Sequence, residues 1–244
     1  MVAASLSTPK VAAGSGPGGW VRALLANTSG GADAVAACRA RAAQALAQTP
    51  LPSRRVEAWR FTDLAPLTAL SPTLLSPAPA AQPEVGTGSL RLSLDGHSDP
   101  LAGISLPAGL EPITGAELSE RLGQVLAATG SAELWPVLLN GATARHVLAL
   151  RVRGAVATTL ELVSDAGDGE GILPLRLLLV LEPEASLEVL QVHRSSGANL
   201  TSVVLEARLG EGAELRHGLL APGAATGCLL ATVAVEQATG SRFS

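Results

Sequence analysis

The 244-residue sequence predicts a mainly β protein with an α-helical N-terminal region. From Ala144 onward the chain shows only strand patterns, separated by turns rich in glycine and proline. Two segments within this part, LEPEASLE (181–188) and LGEGAELR (209–216), resemble each other as successive repeating coils do. The hydrophobic fraction is 47% but aromatic residues make up only 2%. The core is therefore built from Leu, Val and Ala, which suits regular stacking.

The N-terminal region, 1–64, is predicted to be helical. Trp20, Val21, Leu24 and Leu25 share one face of a short helix that ends at Asn27–Gly31. A second helix covers 32–48, and its apolar stripe is followed by Pro50 and Pro52, which end it. The stripe consists of Val35, Cys38, Ala42, Ala45 and Leu46.

Residues 65–88 are predicted to be a linker that separates the helical region from a β core over 89–244. Five prolines in this stretch oppose a helix or an interior strand: Pro66, Pro72, Pro77, Pro79 and Pro83. Within the β core, one helix is expected near 115–127, where Thr114 and Glu117 have capping-box spacing. A further short helical turn is expected over Glu133–Asn140.

Seven apolar runs are predicted strands: 146–152, 156–163, 172–181, 186–193, 200–209, 213–220 and 228–236. Stacked coils would bury an inward Leu/Val face and leave the outer face polar. A β-sandwich produces similar strands and turns, so periodicity alone leaves both architectures open.

Composition excludes several functional classes. The net charge is −4, and the chain has no Tyr, two Phe and three Trp, which argues against nucleic acid as a partner. The uncharged stretch 218–235 contains Pro222-Gly223 in its first half, so two strands around a turn are expected there and not a membrane span. Residues 11–19 lack the apolar core of a secretory signal. Two distant cysteines, Cys38 and Cys228, indicate a reduced, intracellular protein.

Few side chains are candidates for chemistry. His97, His146, His193 and His217 lack partners at metal-ligand spacing, so a solvated or structural role is expected for each. His217 and Cys228 flank one predicted turn, which leaves a thiol–imidazole pair conceivable. Asp165, Asp168 and Glu170 lie among glycines in what is expected to be a solvated turn. The sequence contains no P-loop, and we assign no catalytic, cofactor-binding or metal-binding residue.

The most informative string runs from Glu57 to Leu64 and includes two of the five aromatic side chains, Trp59 and Phe61. One interpretation is a structural junction, with Trp59 as an anchor, Arg60 paired with a nearby acid, and Thr62 or Asp63 capping a turn. The other is a docking surface, because Trp and Arg are common interface anchors.

The segment LPSRRVEAWRFTDLAPL (51–67) resembles the N-terminal motif of the SufD branch of the SufB/SufD family, in which proline and basic residues precede E-x-W-[RK]-[YF]-T-[DN]-L. In this chain the matching residues are Glu57, Trp59, Arg60, Phe61, Thr62, Asp63 and Leu64. WPVLLNGA (135–142) and the strand-rich runs 173–193 and 199–217 resemble later parts of the family more diffusely, as does the C-terminal string VEQATGSRFS.

The resemblance implies a right-handed parallel β-helix core that is incomplete at its C-terminal end, because the helices expected to dock the ATPase SufC do not follow it. It also implies a non-ATPase scaffold subunit of a cytoplasmic or plastid machine that assembles iron–sulfur clusters, paired with SufB through the β-helices. The cluster and ATP would be handled by the complex, so no cofactor is assigned to this chain alone.

Two other hypotheses remain open. The chain could be a stand-alone β-solenoid binding module that uses outward strand residues such as Arg151, Arg153, Glu188 and Gln191. An enzyme that uses His217 and Cys228 is the third hypothesis.

Overall fold

The structure, a computed structural model, describes residues 16–76, 84–86, 88–223 and 226–244. Two helices precede the strands and three lie between the early strands and the main strand array. Their bounds are α1 Pro17–Ala26, α2 Asp33–Gln48, α3 Gly115–Arg121, α4 Gln124–Ala128 and α5 Trp135–Thr143. Two short 3-10 helices cover Glu57–Trp59 and Ala65–Ala69.

The strands of the described residues form two sheets. The strands are β1 Glu84–Gly86, β2 Ser89–Ser93, β3 Leu110–Pro112, β4 Leu148–Val152, β5 Thr159–Asp165, β6 Gly171–Leu181, β7 Ser186–Arg194, β8 Asn199–Leu209, β9 Glu214–Leu220, β10 Cys228–Gln237 and β11 Arg242–Phe243. Sheet A has the order β10-β8-β6-β4-β3, and sheet B has the order β1-β2-β5-β7-β9-β11. The strands from β4 to β10 closely follow the seven runs predicted from the apolar pattern.

The architecture is a parallel β-solenoid, which confirms the predicted fold class and excludes the sandwich. From β4 onward the chain alternates between the two sheets, and each strand pairs in parallel with the strand one coil later. Leu181 and Leu209, which begin the two similar segments, are direct partners. Ser186 and Glu214 pair at the same spacing on the other sheet, so the sequence similarity marks one full coil.

Leucine-rich layers fill the space between the sheets. Inward positions of successive strands, such as Leu160, Leu162, Leu177, Leu179 and Leu205, are at most 1% exposed and belong to one cluster. None of the cluster's members is aromatic. Stacked aliphatic layers of this kind need no large rings, which explains the low aromatic content.

The two sheets differ in what covers their outer faces. Every residue of β6 is buried, whereas burial alternates along β5 and β7. Helices cover the outer face of sheet A, with α5 against β6 and β8 and α4 against β8 and β10. A sheet covered on both faces reads as a continuous apolar run, and a sheet with one solvated face reads as an alternating pattern.

Two tryptophans anchor the helices to the outer face of sheet A. Trp20 of α1 and Trp135 of α5 are each 2% exposed, and they share a cluster with Ile172 and Leu200 from the outer face of sheet A. The indole Nε1 of Trp20 donates to the carbonyl of Leu70 at 2.8 Å. The first helix is thereby tied to residues that follow the 3-10 helices.

Part of the predicted linker packs against the core. Leu67 and Leu75 are buried, and Leu74 forms an isolated parallel bridge with Ile172. Pro77, Pro79 and Pro83 lie outside the described residues. The boundaries proposed for the helical region, the linker and the core stay a prediction.

The predicted helix near 115–127 is present, but Gly123, with φ +89°, interrupts it. The expected capping box is wrong, because Thr114 occupies the N-cap position without a side-chain hydrogen bond. The carboxylate of Glu117 accepts instead from Arg121, at 2.6 Å, and from Arg151 of β4. Charged partners outcompete the neutral backbone amide of a cap.

A buried polar cluster joins the helices to sheet A. Arg176 of β6 donates to Glu206 of β8 at 2.6 Å, and the two side chains are 3% and 0% exposed. The Glu206 carboxylate also accepts from the backbone N–H of Gly123 (3.0 Å) and of Leu126 (3.4 Å). The Asn140 amide of α5 donates to the carbonyls of Leu175 (3.0 Å) and Ser202 (2.9 Å).

We expect Glu206→Leu to lower the free energy of unfolding by about 3–5 kcal/mol, because it leaves the Arg176 charge buried and unpaired. The double variant Arg176→Met/Glu206→Leu removes both charges and should recover much of that loss. Urea denaturation followed by circular dichroism measures both effects.

Glu236→Leu is the matched control for this experiment. Glu236 of β10 pairs with Arg208 at 3.6 Å, and both side chains are more than a third exposed. Removing an exposed pair should cost less than about 1 kcal/mol. Equal losses for the Glu206 and Glu236 variants would contradict the role assigned to the buried pair.

Candidate functional site

The segment Glu57–Leu64, here called the motif segment, has one face in the fold and one in solvent. Leu64 is buried, and the partly buried Trp59 packs against the cluster that contains Trp20 and Trp135. Phe61 is 85% exposed, the highest value among the large apolar side chains of the described residues. The segment thus combines an anchored base with an exposed aromatic ring.

Local contacts fix the conformation of the exposed face of the motif segment. The guanidinium of Arg60 lies 4.4 Å above the centre of the Phe61 ring and donates to Glu57 at 2.9 Å. Asp63 accepts from the backbone N–H of Ala65 at 3.0 Å and lies 3.8 Å from Arg54. The structural interpretation of the motif therefore accounts for Trp59, Arg60, Asp63 and Leu64, but leaves Phe61 without a packing role. Thr62 is exposed at the surface.

A second apolar surface lies on the last coil. β10 pairs with β8 on one side and is the edge of sheet A within the described residues. Leu229, Val233 and Val235 of β10 and Phe243 of β11, here called the terminal coil face, continue the inward positions of the preceding coils. Val233 is 39% exposed and Phe243 is 37% exposed. An apolar face next to a free strand edge is suited to pairing with a further strand.

A polar network, missed by the sequence analysis, lies inside the solenoid beneath sheet B. It connects three neighbouring strands: Ser164 on β5, Gln191 and His193 on β7, and His217 on β9. Gln191 is fully buried, so its predicted outward position is wrong. The prediction failed because polar side chains of a strand with alternating burial usually face solvent, and Gln191 was assigned to the solvated face for that reason. Its spacing from buried Val189, two positions earlier, was the available signal.

Hydrogen bonds run through this network without a break. Ser164 Oγ lies 2.9 Å from His193 Nδ1, and His193 Nε2 lies 2.9 Å from Gln191 Oε1. Gln191 Nε2 lies 2.8 Å from His217 Nε2, and the His217 ring stacks on Phe243 with 6.2 Å between centroids. Burial, and to a smaller extent the neighbouring His217, lowers the pKa of His193 to about 4. Burial also lowers the pKa of His217.

The other histidines and the acidic turn lie elsewhere. His97 contacts the carbonyl of Leu75 and lies 3.3 Å from Arg145. Asp165, Asp168 and Glu170 are exposed, as expected for a solvated turn. Across the described ranges, no group of three or more His, Cys, Asp or Glu side chains is arranged to hold a metal ion.

His217 and Cys228 do not form the pair considered for an enzyme. His217 faces the solenoid interior on β9, whereas Cys228 packs on the outer face of sheet A in the cluster that contains Ile172 and Leu200. Of the other outward residues considered, Arg153 and Glu188 are exposed. Arg151 is 18% exposed and lies within 4 Å of the Glu111, Glu117 and Glu182 carboxylates.

The stretch 218–235 contains the end of β9 and most of β10, as predicted, and residues 224 and 225 between them lie outside the described residues. In the part of the chain that the structure describes, no helix has the length and apolar character to cross a membrane. Comparisons with known protein families, with curated proteins and with solved structures found no match.

Acid should destabilise the protein through His193. Its folded-state pKa of about 4 lies below the usual value near 6.5, so the unfolded state binds a proton first as the pH falls. The free energy of unfolding should therefore decrease between pH 6.5 and 4, by roughly 3 kcal/mol from this residue. His193→Gln should remove that part of the pH dependence, measured by urea denaturation at several pH values.

His146→Gln serves as the control, because His146 is half-buried on the segment before β4 and contacts no member of the network in the described structure. It should keep the acid-dependent loss of the wild type. The assignment is wrong if His193→Gln and wild type lose the same stability between pH 6.5 and 4.

Proposed function

We propose that this chain is a SufD-type scaffold subunit that assembles iron–sulfur clusters together with SufB and the ATPase SufC. One observation carries the proposal: the string EAWRFTDL (57–64) precedes a parallel β-solenoid within one chain. The motif is fairly specific and the solenoid is compatible with it, although a fold alone does not define a function. The role is that of a scaffold, with ATP hydrolysis in SufC.

The terminal coil face is the surface that we assign to SufB. The edge of β10, which pairs with no further strand of the described residues, offers backbone donors and acceptors along ten residues, Cys228–Gln237. The exposed Val233 and Phe243 supply apolar contact beside it. Strand addition at such an edge combines main-chain hydrogen bonds with side-chain burial. The partner's β-helix would thereby extend sheet A.

The motif segment and the three residues before it, 54–56, form the second contact surface of the proposal. Phe61 and Val56 are 85% and 49% exposed, and arginines flank them at Arg54, Arg55 and Arg60. Aromatic and arginine side chains are enriched among residues that dominate binding energy. The Arg60–Phe61 stack presents a preformed anchor, because its contact with Glu57 already orders the arginine.

Co-expression with SufB and affinity purification tests the pairing surface. The wild-type chain should recover SufB, and Val233→Asp should reduce recovery at least about tenfold, because it places a charge in an apolar contact. Leu134→Asp is the matched control, since Leu134 is 41% exposed and Val233 is 39% exposed. A folded wild-type protein that recovers no SufB would contradict the proposal and favour a stand-alone binding module.

Phe61→Ala separates a docking role from a structural role for the motif segment. Because the ring is 85% exposed, its removal should change the free energy of unfolding by less than about 0.5 kcal/mol. Recovery of SufB should nevertheless fall about tenfold or more. Unchanged recovery with unchanged stability would show that Phe61 is not a docking residue.

A further inference from the structure

With the Gln191 amide oriented as in the structure, the network of Ser164, Gln191, His193 and His217 has one consistent set of donors and acceptors when both histidines are neutral. The Gln191 oxygen can only accept, so His193 Nε2 carries a hydrogen and donates to it. His193 Nδ1 then accepts from the Ser164 hydroxyl. The Gln191 nitrogen can only donate, so His217 Nε2 accepts and its hydrogen lies on Nδ1.

A proton added to His217 must enter at Nε2, because Nδ1 already carries a hydrogen. The new N–H would face the Gln191 NH₂ group at a heavy-atom distance of 2.8 Å, donor against donor. A 180° rotation of the Gln191 side-chain amide removes this conflict, because it places Oε1 of Gln191 next to Nε2 of His217. The same rotation places the NH₂ group next to Nε2 of His193, which must then become an acceptor.

His193 remains neutral only if its hydrogen moves to Nδ1, where it can donate to the Ser164 oxygen 2.9 Å away. Each buried polar atom in the chain of contacts then has a partner again, and the Ser164 hydroxyl hydrogen turns away. A second proton, on His193 Nε2, would again face the NH₂ group. The closed network therefore accepts one proton and excludes the second, in agreement with the pKa of His193, which burial and, to a smaller extent, the neighbouring His217 lower.

We propose that Gln191 is a two-position amide relay that links the protonation of His217 on β9 to the tautomer of His193 and the hydroxyl of Ser164, across three successive coils. Phe243 of β11 contributes at one end, because a charged imidazole is attracted to the face of the ring on which it stacks. The relay connects the strand next to the terminal coil face with the interior of earlier coils.

Among the described residues of these strands, the two histidines are the titratable groups that face this interior. Charged side chains of the same three strands occupy outward positions: Glu161, Asp165, Glu188, Arg194, Glu214 and Arg216. The charged side chains of the long strands of sheet A, Arg176, Glu206, Arg208 and Glu236, pair on its outer face. Arg242 of β11 is exposed, and the last residue, Ser244, accepts the backbone N–H of His217 at 2.7 Å.

Nitrogen-15 NMR of protein labelled at its four histidines tests the relay. At pH 8, His193 should be the Nε2–H tautomer and His217 the Nδ1–H tautomer. As the pH falls and His217 becomes charged, His193 should change to Nδ1–H with the same midpoint. Single His→Gln variants of His97 and His146 assign the remaining signals. A His193 that keeps Nε2–H while His217 titrates overturns the proposal.

Gln191→Glu provides an independent check. A carboxylate accepts from both imidazoles at once, so both histidines should hold a hydrogen on Nε2 at pH 8, and each pKa should rise by about one unit or more. The linked tautomer change should disappear. Wild-type behaviour in this variant would overturn the relay, and if the variant fails to fold, the wild-type titration alone decides.

Discussion

Burial of sheet A on both faces is the constraint on which the rest of the structure depends. Its inner face packs on the leucine layers of the solenoid, and its outer face packs under α4 and α5. Polar groups in a layer shielded from water must find partners within the protein. The Arg176–Glu206 pair and the Asn140 amide provide such partners, although Nε of Arg176 has none among the described residues. They also set the position of the helices, because their partners include backbone groups on both layers.

Sheet B is buried on its inner face only, because its outer face is solvated. Alternating burial along β5 and β7 places charged residues outside and leucines inside. The polar side chains of the interior, Gln191, His193 and Ser164, depart from this pattern. They are tolerated because each completes a hydrogen bond with a residue of the same or a neighbouring coil, and satisfied polar networks specify one arrangement of a core more strongly than apolar contacts do.

The surfaces suited to association are those that the solenoid architecture cannot bury by itself. Coils bury their inward faces against their neighbours, and the last coil that the structure describes has exposed apolar side chains at Val233 and Phe243. Phe61 is exposed for another reason, because Trp59 and Leu64 already occupy the inward positions of the motif segment. The proposed scaffold role uses both surfaces.

Much of this fold was predictable from the sequence. Apolar periodicity located the long strands within a few residues. The similarity of 181–188 to 209–216 indicated the coil length, and Leu181 and Leu209 are direct partners at that spacing. Local patterns sufficed because strand formation, turn positions and stacking all repeat along the chain. They could not show which sheet the helices cover, so Arg176 and Glu206, on different strands, gave no sign of pairing. The partners of Glu117 and the separation of His217 from Cys228 were likewise decided by tertiary structure, because each depends on contacts between strands and helices that are distant in the chain.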